Sequence, residues 1–142
     1  MDKPIAGYGW YIKRIDNALE KEANQNLQAL NLTLQQNHAL VMLVHAEDYT
    51  LSLKALEERF CSAQSTVAGL VTRLEKKGLV EAISDPDDKR VKLVRLTEEG
   101  HRLCAISRQN VVDSEERLTR HLSPEEREAF LHCLRKVYEA VQ

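Results

Sequence analysis

Spaced CxxC pairs, a glycine-rich phosphate loop, HExxH and GxSxG are all missing from this chain. With them go the usual sequence grounds for a thiol redox centre, a nucleotide site, a zinc peptidase or a serine hydrolase. Ser, His and Asp are scattered without a strand-turn context, so neither an enzyme nor a cofactor or metal site is expected. Cysteine is scarce and odd in number: Cys61, Cys104 and Cys133 are expected to be reduced thiols of a cytoplasmic protein. The opening MDKPIAGYGW has no apolar run of the signal-peptide kind. Near the middle, the longest apolar run is Ala39-Leu40-Val41-Met42-Leu43-Val44, far short of the roughly 20 residues a membrane helix needs. Five glycines and three prolines in 142 residues leave little room for linkers, and no repeat or low-complexity segment is visible. One core is expected.

Charge of one sign is also lacking. The formal net charge is −2, so the whole molecule does not advertise a polyanion partner, and any such argument must rest on local charge. Locally the balance differs: residues 89–95 carry Lys89, Arg90, Lys92 and Arg95 with no acid, whereas residues 1–50 hold four basic side chains against six acidic ones.

What is present is helical periodicity. Tyr8, Ile12, Ile15, Leu19, Ala23, Leu27 and Leu30 recur at offsets of three or four, the stripe of an amphipathic helix. Thr33 with Gln36 forms a capping box for a second helix expected to end near Asp48. Tyr49–Ser52 then links to a short helix, Leu53–Phe60, with Leu53, Leu56 and Phe60 inward. Ser62 is placed as N-cap of the next helix, in which Val67, Leu70, Val71 and Leu74 share a face opposite Ser65, Gly69, Thr72 and Lys76. Gly78 stops it. Leu79–Ile83 and Val91–Leu96 read as strands around a turn set by Asp85, Pro86, Asp87 and Asp88. Thr97 with Glu98 and Glu99 opens a long helix to about His121, and Ser123-Pro124-Glu125-Glu126 opens the last, with Phe130, Leu134, Val137, Tyr138 and Val141 on one side. The expected fold is mainly α, with six helices and a small β-hairpin wing. Residues 32–100 form a winged helix-turn-helix, and residues 1–31 and 101–142 a helical dimerisation region. The terminal apolar stripes need a cover, either a second copy in a two-fold dimer or burial within one monomer.

Two short helices joined by a tight connector place the second in the major groove, where side chains at its N-terminus reach base edges. Ser62, Gln64, Ser65 and Thr66 stand there; Gln pairs with adenine, and Ser or Thr with several bases. Gly69 costs a helix about 1 kcal/mol relative to Ala, which suggests a close approach at that point. The bland reading, short polar capping residues and a tolerated glycine, stays open. Lys54, Arg73, Lys76 and Lys77 are candidates for phosphate contacts. At the hairpin tip Lys89, Arg90 and Lys92 are the stronger signal, with Asp88 as an orienting partner for Arg90, and an Arg there can enter the narrow minor groove.

These residues resemble the MarR family (multiple-antibiotic-resistance regulators). The resemblance is carried by Thr33-x-x-Gln36, Leu53 through Arg59, Ser65-Thr66-Val67, Leu74-Glu75-Lys76-Lys77-Gly78-Leu79-Val80, Asp85-x-x-Asp88-x-Arg90 and Leu96-Thr97-Glu98-Glu99-Gly100, in order and spacing over essentially the whole chain. It implies a homodimeric winged helix-turn-helix regulator, usually a repressor, bound to a pseudo-palindromic operator on double-stranded DNA. Release would follow entry of a small lipophilic or phenolic ligand, or oxidation of a cysteine. Two departures stand out. Ala82 occupies a wing position where many relatives have Arg, and residues 1–31 lack the first-helix Cys of the peroxide-sensing branch. His38 and His45, seven apart, do not match the spacing of helical metal-ligand pairs. Tyr8, Trp10 and Tyr11, three of the seven aromatic residues, are candidates with His38 for an effector pocket, with core packing as the alternative for Tyr8. Two other readings remain: a thiol-oxidation-responsive regulator of the same fold, and a winged helix used for protein–protein contact without DNA.

Overall fold

A computed structural model describes residues 6–60 and 64–142. Among the described residues there are six α-helices and one three-stranded antiparallel sheet: α1 (Tyr8–Ala29), α2 (Leu34–Val44), β1 (Thr50–Ser52), α3 (Leu53–Phe60), α4 (Gln64–Lys76), β2 (Val80–Ser84), β3 (Lys92–Leu96), α5 (Glu98–Thr119) and α6 (Pro124–Ala140). The chain divides into two compact units, one up to Arg108 and the other Gln109–Gln142.

In the first unit, helix ends are set by their own side chains. α1 stops in a Schellman turn: Asn31, at φ 54°, donates its amide to Gln28, and the Leu32 amide donates to the Leu27 carbonyl. Asn is among the few residues that tolerate this left-handed conformation. Thr33 then caps α2 reciprocally, its Oγ1 accepting from the Gln36 amide while Gln36 Oε1 accepts from the Thr33 amide, both at 3.1 Å. Gly78, at φ 73°, closes α4 the same way: its amide donates to Glu75, the Leu79 amide to Leu74, and Leu74 and Leu79 are both buried.

Two expectations are corrected here. α2 ends at Val44, not near Asp48; a 3-10 turn, Glu47–Tyr49, follows, in which Asp48 and Tyr49 both take positive φ. Thr50–Ser52, read as a linker, is a strand, pairing Thr50 with Arg95, Leu51 with Val94 and Ser52 with Leu93. Sheet order is therefore β1-β3-β2, with β3 central. Ser52 also starts α3, since its Oγ accepts from the Ala55 amide at 3.0 Å.

Leu40, Leu43, Leu56, Val67, Leu74 and Val94 are essentially inaccessible and form the centre of the core, with Leu53 and Phe60 packed at its edge. α4 thus buries the face its periodicity indicates, and its opposite face stays outside. Thr97 ties the wing to α5: its amide donates to the Leu79 carbonyl and its hydroxyl to the Gly78 carbonyl, and the same oxygen accepts from the Gly100 amide. Gly100 is buried so tightly that a Cβ there would lie 2.3 Å from the Leu79 carbonyl oxygen and 2.5 Å from Leu96 Cδ1. In the second unit Ser123 caps α6 through the Glu126 amide, and Arg127 reaches back to the Thr119 carbonyl and to Glu116. Phe130, Leu131, Leu134, Val137 and Tyr138 on α6 and Val141 at its C-cap are exposed, as are Tyr8, Trp10, Tyr11, Ile12 and Ile15 on α1.

Candidate nucleic-acid interface

Ser62, expected to cap α4 and read bases, lies outside the described residues, as does Cys61. Gln64 and Ser65 occupy the first turn of α4, while their side chains also lie outside the described residues. From Thr66 onward the outer face is legible. Thr66 and Thr72 are exposed, Ala68 and Gly69 partly so. Thr72 donates its hydroxyl to the Ala68 carbonyl at 2.9 Å, so it turns a methyl group and acceptor lone pairs outward. A Cβ added at Gly69 would meet nothing within 4 Å. Its lack of a side chain therefore serves no packing need within the chain, although glycine at mid-helix costs about 1 kcal/mol against alanine. Arg73 and Lys76 are exposed on the same helix.

The wing tip is built from aspartates that organise their own loop. Asp85 Oδ1 accepts from the Asp87 amide, the Asp85 amide donates to Val91, and the Val91 amide donates to Asp88. Asp88 then takes hold of Arg90 three times: from its backbone amide at 3.0 Å, from Nε at 3.1 Å and from Nη2 at 3.2 Å. The fork geometry matches a carboxylate to a guanidinium edge. It leaves the Arg90 side chain 90% exposed, pinned at its inner edge and open at its outer one. These hydrogen bonds, side-chain first and backbone second, hold the Asp88 carboxyl below its ordinary pKa. The orienting role expected for Asp88 thus has a concrete geometry.

Lys54, Arg90 and Lys92 meet around a cleft of about 510 Å³, lined also by Ser52, Leu53, Glu57 and Val91, between the start of α3 and the wing. Ser52 and Glu57 were not anticipated from sequence, because the strand that carries Ser52 exists only through its pairing with β3. Lys89 is exposed beside the cleft. Arg95, by contrast, is spent: it is opposite Glu81 in the sheet register and donates to that carboxylate through Nε at 2.9 Å and Nη2 at 2.8 Å. Ala82, between β2 neighbours, faces Val94 across the sheet.

Lys77, also expected to face phosphate, is exposed and engaged within the chain. Its ammonium donates to the Asn31 carbonyl and, at 2.9 Å, to Gln36 Oε1. Of the residues considered for an effector pocket, Trp10 stacks edge-on with Tyr11 at 5.0 Å under Arg14, Tyr8 is 92% exposed, and His38 lies exposed on α2. Cys104 is half-buried, and burial raises its thiol pKa against the opposing pull of Arg108, which disfavours the reactive thiolate. Among the described residues no group of three or more His, Cys, Asp or Glu could hold a metal ion, and no helix is long and apolar enough to cross a membrane.

The MarR family model matches residues 32–92, the stretch from the α2 cap to the start of β3. The transcriptional regulator HosA of Escherichia coli O111:H- is 35% identical over 100 residues, covering 70% of this chain and 74% of that protein. Among solved structures, the S. aureus MepR–DNA complex superposes with a TM-score of 0.85 at 27% identity, covering 95% of this chain and all of that one. Wild-type MarR from E. coli in its apo form gives a TM-score of 0.71 at 27% identity, covering 95% and 98% of the two chains. Taken with the α3–α4 unit, the bare outer face of α4 and the Arg-tipped wing, these likenesses establish that the chain belongs to the MarR family.

Proposed function

We propose that this protein is a DNA-binding transcriptional regulator that acts as a homodimer on a pseudo-palindromic site, as a repressor. The observation that carries this reading is the joint placement of the bare outer face of α4 and the cationic cleft of Lys54, Arg90 and Lys92. In it, the N-terminal half of α4, with Gln64, Ser65, Thr66 and Gly69, enters the major groove and reads bases. Arg73 and Lys76 grip phosphates beside it, and Lys54, Lys89, Arg90 and Lys92 hold backbone and minor groove at the wing. DNA-bound MepR, similar in fold over nearly all of this chain, supports the same placement. The exposed apolar faces of α1 and α6 support the second copy. Local charge favours DNA over a protein partner, which would need no basic face.

Ligand-controlled release is the finer part of the proposal. A cleft of about 500 Å³ lined by Leu30, Leu79 and Leu103 together with Lys77, Glu99 and Arg102, the last two paired with each other, has the size and the mixture of apolar wall and polar groups that suit a small lipophilic ligand.

The test uses a duplex selected by the wild-type protein from a random pool. Arg90→Ala should weaken binding to selected and unrelated duplexes alike and flatten the dependence of log K on log salt by about 0.9 per lost contact. An affinity and slope unchanged by Arg90→Ala would overturn the wing assignment. A phenolic carboxylate that leaves the wild-type affinity unchanged would count against ligand release.

A further inference from the structure

Lys77 is the C-cap of α4, Asn31 lies just past the end of α1, and Gln36 belongs to the first turn of α2. The Lys77 ammonium joins all three helix ends, donating to the Asn31 carbonyl and to Gln36 Oε1. Both acceptors are suited to it. The Asn31 carbonyl lies at the C-terminal end of α1, where the helix dipole favours a cation, and Asn31 is held there at positive φ by the Schellman turn. Gln36 Oε1 already accepts from the Thr33 amide, and the residue is 4% exposed. A second donor from α4 completes the lone pairs of this buried oxygen. The partners are 46 and 41 residues away in sequence, so the contact is a tertiary tie across the fold. Lys77 and its neighbour Lys76 are both exposed, but only the Lys77 ammonium has these two acceptors.

We infer that Lys77 is a positioning residue for DNA recognition: it touches no DNA and sets the orientation of α4 by fastening its C-terminal end to the α1–α2 junction. This rests on the DNA-binding reading above. The tie matters because α4 reads bases from its first turn, so a small rotation about its far end displaces those side chains across the groove. Sequence discrimination depends on that placement, whereas attraction to phosphate is long-range and tolerant of it.

The experiment compares Lys77→Met, Lys77→Arg and Lys76→Met in the full chain, on the duplex selected by the wild-type protein and on an unrelated duplex, over a range of salt. Lys77→Met, which keeps the aliphatic stem, should bind the selected duplex about tenfold more weakly, the scale of one lost charge-assisted hydrogen bond. Its affinity for the unrelated duplex and its salt slope should match the wild type. Lys77→Arg, which retains the donor, should recover most of the selected-duplex affinity. Lys76→Met should instead weaken both duplexes and flatten the slope by about 0.9 per contact. The inference is overturned if Lys77→Met behaves like Lys76→Met, which would make Lys77 a phosphate contact, or if it binds both duplexes as the wild type does. Loss of binding in proportion to unfolded protein, read by circular dichroism at the assay temperature, would reduce Lys77 to a stability role and also overturn it. Failure of the wild-type protein to select any sequence would instead defeat the DNA-binding reading itself.

Discussion

At the wing tip Asp88 receives one hydrogen bond from the Arg90 amide and two from its guanidinium. Three acids at a tip meant for DNA look unfavourable, yet Asp85 and Asp88 accept bonds that shape the turn, and the Asp88 fork restrains a long side chain that would otherwise lose rotamer freedom on binding. The folded Asp88 pKa is lowered. Its contribution is therefore fully present above the ordinary carboxylate pKa and is lost as pH falls through the lowered one. A carboxyl NMR titration should place Asp88 below the ordinary Asp range, and Arg90→Ala should move it back up. A midpoint indifferent to Arg90→Ala would mean that the fork is not formed in solution. The Arg90–Asp88 pairing was legible in sequence because it is local, two residues apart. The Lys77 tie was not, because a Lys on a helix surface reads as a solvated charge until the chain brings Asn31 and Gln36 to it.

Elements separate along the same line of local against distant cause. The Thr33–Gln36 box, the Gly78 stop and the Ser123 cap were readable, since each motif satisfies backbone groups within a few residues. β1 was not, because three residues become a strand only through a partner some forty positions on. Nor was the early end of α2, where no Gly or Pro marks the break and positive φ falls on Asp48 and Tyr49. Two glycines in helices show how opposite causes look alike in sequence. Gly69 has open space around it, whereas Gly100 is wedged against the Leu79 carbonyl and Leu96. Gly69→Ala should raise stability by about 1 kcal/mol while weakening binding to the selected duplex. Gly100→Ala should lower stability by about 1–3 kcal/mol through overpacking. Denaturant melts of the two variants should move in opposite directions from the wild type. A destabilised Gly69→Ala or an unchanged Gly100→Ala would contradict the packing described.

For the whole molecule, a net charge of −2 is compatible with a polyanion partner because the positive charge is local: Lys54, Lys89, Arg90 and Lys92 share the wing side of the first unit, and Arg73 and Lys76 stand on α4. In the proposed assembly one such unit would read half a site, and a half-site offers few base contacts. The exposed apolar residues of α1 in the first unit and of α6 in the second give a second copy surfaces to cover, and a two-fold dimer doubles the readout while fixing the spacing between the two α4 helices. The most direct measurement of this account is selection of duplexes from a random pool by the wild-type protein, followed by the stoichiometry of the selected complex in sedimentation. The account predicts two inverted half-sites with centres about one helical turn, 10–10.5 bp, or a multiple of it apart, bound by two 16.2 kDa chains. No enrichment over the starting pool, or a single asymmetric site bound by one chain, would contradict it.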